Sequence, residues 1–458
     1  MELQEGNMDA AQTGRTMSTG LEKVAERAKR DPDLRFNSLA HLIDGTALTR
    51  SFSRLRKDAA VGVDKMTKEA YGQNLEENIE ELLKRLKAGS YRHQPILRVQ
   101  IEKAPGKTRP IGISTVGDKI VQGAIREVLE AIYEQDFLPC SHGFRPGRSA
   151  HDALRDIDKM GPERVEWVLE ADITAFFDSI DRKKLMEILQ LRVIDGALLR
   201  LIGKCLHVGV LDGEDLTVPD EGTVQGSGLS PLLGNIYLHH ILDLWLTREV
   251  FPGLDGTARL VRYADDFVIG FQRREDAERV MDALQRRMAD FGLKLHPEKT
   301  RLLPFKRPND GGRGKGPATF DFLGFTIYWL KGGNGEWRLG MKTREARLQR
   351  AIKVIGEFCR DHRHQTLREQ YDKLRSRITG HFNYFGVNGN TRSLQLLRHK
   401  AKGLWLKWLN RRSHKPSYTW ERFNDLLKFF PLPLARIRVQ IWGASKTIPQ
   451  KSRMVETS

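Results

Sequence analysis

The strongest constraint on the fold is a pair of adjacent aspartates, Asp265 and Asp266, between the short apolar runs 258–261 and 267–271. Both runs are β-prone, so they predict a tight hairpin with the two aspartates at its tip. Because neighbouring residues in a strand point to opposite faces, one carboxylate can face a site while the other supports it. A divalent metal ion would compensate their charge. The alternative is an ordinary hairpin capped by an Asp-Asp turn.

A second acid is placed in the same way. Residues 165–173 are typical of a strand that ends at Asp172, and the chain continues through Phe176 and Phe177. Two carboxylates on neighbouring strands, Asp172 and Asp265, could meet across one sheet. Such hard oxygen ligands can hold two cations against a triphosphate during phosphoryl transfer. The pattern therefore predicts a two-metal site built on two strands.

The composition favours a nucleic-acid partner. The 458 residues allow two or three domains, and the formal net charge is +17 with a pI near 9.7. This surplus favours a polyanion, nucleic acid before membrane. Three widely separated cysteines, Cys140, Cys205 and Cys359, favour a reducing compartment and argue against a structural zinc site. With neither a long apolar run nor a signal-peptide pattern, we expect a cytoplasmic protein with no membrane partner.

Two basic segments precede the Asp172 strand. Residues 97–113 read as a hairpin that carries Lys103 and Arg109, which could clamp phosphates. A solvated basic hairpin is the alternative. The rigid loop 141–149 holds Arg145 and Arg148 among Gly and Pro and suits contacts with a nucleic-acid backbone.

A glycine-rich loop at 221–235 lies between the two acid-bearing strands. Three glycines near Gln225 let the backbone approach a ligand closely, and a long apolar helix is predicted to begin near Leu229. This position predicts that the loop holds the base and sugar of an incoming nucleotide.

The chain after the hairpin changes character. Residues 320–329 form an apolar run that predicts one strand, and the chain becomes helical and basic from Thr343. Between Arg392 and Lys415 there are eight Lys or Arg residues and no acid, interleaved with two tryptophans. We expect the tryptophans in the core, although the charges could be merely solvated. The expected RNA contacts are Arg398, Lys400, Lys402, Lys407, Arg411 and Arg412.

Taken in order, the motifs resemble one family. They are the basic hairpin, GFRPGRS at 143–149, the Asp172 strand, QGSGLSPLLGN at 225–235, YADD at 263–266, LHPEKT at 295–300 and FLGF at 322–325. Together they closely resemble a bacterial group II intron-type reverse transcriptase, also called a maturase. The resemblance covers about residues 60–330 and continues through 380–387, which looks like the thumb or maturase segment.

The resemblance implies an α+β right-hand polymerase, in which fingers and palm of antiparallel sheet and helices precede an α-helical thumb or maturase domain. The implied regions are an N-terminal tail and helical extension at 1–57, fingers and palm at 58–335, thumb and maturase at 341–420, and a short basic segment at 421–458.

It also implies roles for individual residues. Asp172, Asp265 and Asp266 would be catalytic and would bind two Mg²⁺ ions with help from the Ile173 carbonyl. Phe177 would be a steric gate that rejects the 2′-OH of ribonucleotides. The other implied nucleotide contacts are Lys103, Arg109, Gln225 and Lys299, the last of these near the phosphates.

The implied partners are an RNA template, in particular the group II intron RNA, a DNA primer or target, and dNTPs. Because the clustered Cys and His of the family's zinc-bearing endonuclease are missing, we expect priming from existing DNA ends or replication forks. Two other roles stay open. One is a splicing factor with incidental polymerase activity, and the other is a domesticated enzyme in phage defence or CRISPR spacer acquisition.

Overall fold

The computed structural model describes residues 18–104, 107–212, 215–217, 222–223, 226–308, 319–332, 335–413 and 418–442. Helices and strands both occur throughout these ranges, so the predicted α+β class is confirmed. None of the helices in the described residues has the length and apolar character that crossing a membrane requires.

The described helices are α1 Thr19–Arg30, α2 Gly45–Arg54, α3 Lys68–Gln73, α4 Leu75–Lys87, α5 Val116–Asp136, α6 Ala150–Asp158, α7 Arg182–Gln190, α8 Gly196–Leu206, α9 Ser230–Leu238, α10 Arg274–Asp290, α11 Glu345–Asp361, α12 Leu367–Phe385, α13 Thr391–Leu409 and α14 Trp420–Phe429. Helix α9 continues directly into a π-helix, His239–Val250.

The described strands are β1 Ile96–Ala104, β2 Lys107–Ile113, β3 Trp167–Asp172, β4 Val210–Asp212, β5 Asp215–Thr217, β6 Ala258–Tyr263, β7 Asp266–Phe271, β8 Arg301–Pro304, β9 Phe320–Phe322, β10 Phe325–Lys331 and β11 Trp337–Thr343. They form three sheets with the orders β2-β1-β4-β5, β6-β7-β3-β8 and β11-β10-β9. Strands β1 and β2 pair antiparallel, as the predicted basic hairpin requires.

The chain divides into two compact units. The first comprises Met1–Ala153, Ala171–Ile269 and Arg273–Leu302, and the second comprises Leu154–Glu170, Gly270–Gln272 and Leu303–Ser458. The four regions expected from the sequence stay a prediction.

The core of the first unit is organised around α5, whose residues are buried or half-buried along nearly the whole helix. Its residues Ile120, Val121, Ile125, Leu129 and Ile132 are fully buried. A helix with so many buried apolar side chains is stable only when other elements surround it, and here α1 and α2 pack against it.

The core of the second unit is helical. Trp405 of α13 is 1% exposed and its indole N–H donates to Gln370 Oε1 over 3.0 Å, so the prediction that it is a core residue is confirmed. Trp408 is only partly buried. Helix α12 begins with a capping box in which Thr366 and Glu369 satisfy each other's backbone N–H groups.

The prediction of a single strand over residues 320–329 is wrong. The structure has two antiparallel strands, β9 and β10, joined by a turn at Leu323 and Gly324. Both turn residues have left-handed backbone, with φ of 50° and 78°. The apolar sequence concealed this turn, and Gly324 was its one signal, because glycine adopts positive φ without strain.

Asp195 provides a test of how the N-terminal helices are joined to the rest of the first unit. Its carboxylate caps α8 by accepting from Ala197 and Leu198 N–H, and it also accepts from Leu39 and Ala40 N–H over 2.6 and 2.8 Å. Burial alone would raise the pKa of Asp195, but these four donors outweigh it and lower the pKa. The stabilisation is therefore complete above the ordinary value of about 3.9 and is lost as pH falls through the folded-state pKa.

We expect Asp195→Asn to lower the free energy of unfolding at pH 7 by about 1–3 kcal/mol, because an amide can accept only at its single oxygen. Urea denaturation at several pH values should show this difference narrowing in acid. Asp44→Asn is the matched control, since Asp44 caps α2 with one bond to Ala47 N–H and asparagine caps as well as aspartate. A difference for Asp195→Asn that widens as the pH falls would contradict the assignment.

Candidate active site

The predicted acidic hairpin is confirmed in its geometry. Strands β6 and β7 are joined by two residues, Ala264 and Asp265, and Asp266 is the first residue of β7. Ala264 has left-handed backbone with a φ of 57°, which is the conformation that two-residue hairpin turns require. The turn therefore presents the two aspartates side by side at the end of the hairpin.

Asp172 ends β3, the strand beside β7 in the same sheet. The chain after Asp172 pairs with the segment that precedes Lys299: His296 N–H donates to Asp172 O, and Thr174 N–H donates to Lys294 O, both over 2.8 Å. This pairing brings Lys299 Nζ to 2.5 Å from Asp172 Oδ2. The Ile173 carbonyl takes no part in these two bonds.

The three acids influence one another electrostatically. Asp266 is exposed to solvent, yet protein atoms surround its carboxyl group densely. This crowding, the negative charge of Asp265 and a hydrogen bond to Asp172 raise the pKa of Asp266 to about 7, against the opposing charge of Lys299. The site therefore concentrates more negative charge than Lys299 neutralises.

These residues fit a divalent cation by chemistry and charge. Carboxylate and carbonyl oxygens are the ligands that Mg²⁺ prefers, and the excess negative charge favours a cation. Across the described ranges, no three His, Cys, Asp or Glu side chains are arranged as a complete set of metal ligands. In this arrangement one Asp172 oxygen is engaged by Lys299.

Arg262, the residue before Tyr-Ala-Asp-Asp, holds the hairpin in place from below. It is fully buried, and all five of its N–H groups donate. The acceptors are both carboxylate oxygens of Asp243 at 2.7 and 2.5 Å, Asn235 Oδ1 at 2.9 Å, the Ala264 carbonyl at 3.0 Å and Ser141 Oγ at 2.8 Å. The guanidinium of Arg262 thus joins the π-helix, α9, the loop before Gly143 and the acidic turn.

The loop that contains the GFRPGRS motif lies, together with the residues just before the motif, directly against that turn. The Arg262 backbone bonds to Cys140 O and His142 N, and Asn235 Nδ2 donates to Gly143 O over 2.7 Å. A Cβ on Gly143 would come within 2.4 Å of Ala264 N. Gly143 therefore has to be glycine because the backbone of the acidic turn occupies the place of a side chain.

Sequence reasoning missed Arg262 and Asp243 as positioning residues. A signal was present, because each is a charge in an apolar stretch: Arg262 follows Leu260 and Val261, and Asp243 follows Ile241 and Leu242. Fully buried charges are rare unless they are paired. Two opposite charges, each within an apolar stretch that predicts burial, could have been interpreted as an ion pair.

Phe177 lies in the short turn after β3, where it is half-buried and its ring centroid is 5.1 Å from that of Phe176. A Cβ on Gly234 of α9 would come within 2.9 Å of Phe176 and 3.2 Å of Phe177. Thr223 N–H donates to Phe177 O over 2.6 Å. The turn is thus held between α9 and the start of the glycine-rich loop.

Other predicted nucleotide contacts cannot be compared with the structure. Lys103 and Arg109 lie on β1 and β2, but their side chains are outside the described residues, as is the whole of Gln225. Their roles stay predictions.

Arg145 points inward. It is 8% exposed, and it donates to Glu134 and to the carbonyls of Leu138 and Ser141. Arg148 is half-buried and donates to Pro139 O. In this structure Arg145 therefore braces the loop, and a phosphate contact by either arginine stays a prediction.

The cations of α13 and the turn after it divide into two groups. Arg398 donates to Pro433 O and Arg412 to Gln365 O, so both hold loops of the second unit, and Lys402 is partly buried. The exposed group consists of Lys400, Lys407 and Arg411. Lys400 and Lys407 are seven residues apart on α13 and share one face of that helix, and Arg411 follows in the turn after it.

Comparison with known proteins shows the family of the chain. Residues 101–327 match the family described as reverse transcriptase (RNA-dependent DNA polymerase). Protein YkfC of Escherichia coli K12 is 31% identical over 358 residues, which is 69% of this chain and 90% of YkfC.

Two relatives are encoded in introns. The group II intron-encoded protein LtrA of Lactococcus lactis is 44% identical over 168 residues, 36% of this chain and 28% of LtrA. An uncharacterized 91 kDa protein in the cob intron of Schizosaccharomyces pombe is 44% identical over 163 residues, 36% of this chain and 20% of that protein. The chain thus spans most of YkfC but less than a third of these two relatives.

The chain belongs to the reverse transcriptase family, whose members are RNA-directed DNA polymerases. Within that family its relatives include a group II intron-encoded protein, and the resemblance seen in the sequence is confirmed. Membership implies the use of an RNA template, a primer and dNTPs.

The buried Arg262–Asp243 pair leads to a prediction about stability. We expect Asp243→Asn to lower the free energy of unfolding by about 3–5 kcal/mol, because it leaves the Arg262 charge buried without a counter-charge. Chemical denaturation followed by circular dichroism measures the change. Asp58→Asn is the control: Asp58 pairs with Arg56 at 2.8 Å with both side chains about three-quarters exposed, and its loss should change little. Equal effects of the two substitutions would contradict the assignment.

Proposed function

We propose that this protein synthesises DNA on an RNA template by two-metal nucleotidyl transfer, with Asp172, Asp265 and Asp266 as the catalytic acids. The observation that carries the proposal is the position of Asp172 at the end of β3, beside the turn that carries Asp265 and Asp266: Asp172 is hydrogen-bonded to Asp266 and pairs with Lys299. In the terms of the family this is a palm, with β1 and β2 as fingers and α11–α13 as the thumb or maturase domain.

Enzymes of this family generally use Mg²⁺. Asp172, Asp265, Asp266 and the Ile173 carbonyl would hold two such ions, which would activate the primer 3′-OH and stabilise the leaving pyrophosphate. Lys299, whose ammonium is half-exposed and already beside Asp172, would place a positive charge near the phosphates. Arg262 would contribute indirectly by fixing the turn from which Asp265 projects.

We also propose that Phe177 selects the sugar. Its ring is supported by Phe176 and by α9 at Gly234, so it cannot retreat easily from a 2′-OH. Rejection of a 2′-OH by an aromatic ring requires that the ring stays in place.

Binding of group II intron RNA is a second proposed activity, supported by the exposed stripe Lys400, Lys407 and Arg411. Arg411 and Lys407 also lie over the Trp408 ring, at 5.2 and 5.5 Å from its centroid. A cationic stripe without nearby acids suits a phosphate backbone. Assistance to splicing and retrohoming would follow from such binding.

We expect Asp265→Asn to reduce DNA synthesis by about a thousandfold, because a neutral amide is a poor ligand for a hard cation. Primer extension on an RNA template with Mg²⁺ measures the rate. Asp282→Asn, an exposed position on α10 in the same unit, should extend normally. A near-normal rate for Asp265→Asn would mean that the catalytic acids are assigned wrongly.

The same preparation separates the two activities. Asp265→Asn should bind intron RNA as the unsubstituted protein does, whereas neutralising Lys400, Lys407 and Arg411 together should weaken RNA binding and its salt dependence. If the unsubstituted protein binds intron RNA but makes no DNA, the splicing-factor alternative is favoured.

The steric-gate proposal has its own test. We expect Phe177→Ala to raise incorporation of ribonucleotides relative to deoxyribonucleotides about tenfold, because the smaller side chain leaves room for the 2′-OH. Competition between rNTP and dNTP in single-nucleotide extension measures the ratio. Phe177→Tyr keeps the ring and should keep the selectivity. Unchanged sugar selection in Phe177→Ala would remove the gate assignment.

A further inference from the structure

A buried amide joins α5 to the glycine-rich loop. Gln122 is 1% exposed in the middle of α5. Its Oε1 accepts from Gly228 N–H over 3.1 Å, and its Nε2 lies 3.2 Å from Ser114 Oγ and 2.6 Å from His93 Nε2. The loop therefore has a specific polar attachment to the buried part of α5.

The donors determine how this network is oriented. The Gly228 N–H can only donate, so the amide oxygen of Gln122 must face it and the amide nitrogen must face His93. His93 Nε2 then accepts, which puts its proton on Nδ1, 2.9 Å from Gln94 O and 3.4 Å from Asp118 Oδ2. Asp118 in turn accepts from Tyr91 and Thr115 over 2.5 and 2.7 Å. The orientation of Gln122 is thus fixed by a connected network.

The other side of the loop is fixed by close packing. Gly226 has a φ of 108°, and a Cβ there would come within 2.4 Å of Gly112 O and 2.8 Å of Ile111 Cγ2 on β2. The loop at 226–228 is therefore held between strand β2 and helix α5. Gln122 supplies the hydrogen bond of this arrangement, and glycine supplies the space.

We propose that Gln122 is a positioning residue for nucleotide binding, acting by holding Gly228 and thereby the loop that receives the base and sugar of an incoming dNTP. The inference rests on the proposed function of that loop. Gln122 itself touches no substrate in this scheme. Its loss should weaken dNTP binding more than it slows the chemical step, and it should leave binding of the primer and template unchanged.

The test combines two measurements on Gln122→Met, which keeps the side-chain length and removes the hydrogen bonds. Hydrogen–deuterium exchange of the peptide that contains Gly228 should become faster. In primer extension, KM for dNTP should rise about fivefold, the value expected for one lost hydrogen bond, with kcat changed less. Ser114→Ala is the matched control, because it removes a partner of Gln122 and leaves the Gly228 bond, so both readouts should stay near those of the unsubstituted protein.

The outcomes separate the inference from the proposed function. If the unsubstituted protein does not extend a primer, the proposed function fails, whatever the exchange shows. If it extends, unchanged exchange or an unchanged KM in Gln122→Met overturns the inference. If Gln122→Met does not fold, Gln122→Asn decides, since it keeps the amide but draws its oxygen away from Gly228: faster exchange with a raised KM supports the role, and faster exchange with a normal KM overturns it.

Discussion

The buried ion pair between Arg262 and Asp243 is the interaction on which the rest of the site depends. A guanidinium in an apolar interior is tolerated only when its charge is balanced and every N–H group has an acceptor. Both conditions hold for Arg262. Since the acceptors come from the continuous helix of α9 and the π-helix, from the loop at Ser141 and from the turn itself, satisfying one side chain also brings these segments into register. The acidic turn is thus held in position by the same contacts that compensate the desolvation of Arg262.

The site combines this rigid base with an acidic surface formed by Asp172, Asp265 and Asp266. Below the turn, opposite charges are matched and buried, whereas at the turn the negative charges of Asp265 and Asp172 act on Asp266, and Lys299 lies beside Asp172. The buried pair holds the turn in place, and in the proposed function the acids would attract a divalent cation. The two layers are coupled, because the negative charge of Asp265 also acts on Arg262.

Much of this arrangement could be predicted from the sequence, and the exceptions have physical causes. The hairpin with Asp265 at its tip was predictable because short β-prone runs flank it. The contact between Lys299 and Asp172 was not predicted, since it depends on a strand pairing distant in sequence, and the family resemblance placed Lys299 only near the phosphates. The turn at Leu323 escaped prediction because its apolar side chain conceals left-handed backbone. Gln122 escaped because an amide inside a helix has no local signal of its partner.

The glycine inside α9 has a consequence for how this protein can vary. A glycine in a helix costs about 0.5–1 kcal/mol relative to alanine, and at Gly234 the space it leaves is filled by the rings of Phe176 and Phe177. The surface of α9 at Gly234 and the rings of Phe176 and Phe177 are therefore complementary in shape. A larger residue at 234 is tolerable only in a lineage that has already reduced a ring opposite it. We expect natural variation at these positions to be correlated, and in the proposed function a change at Gly234 would alter sugar selection through the position of Phe177.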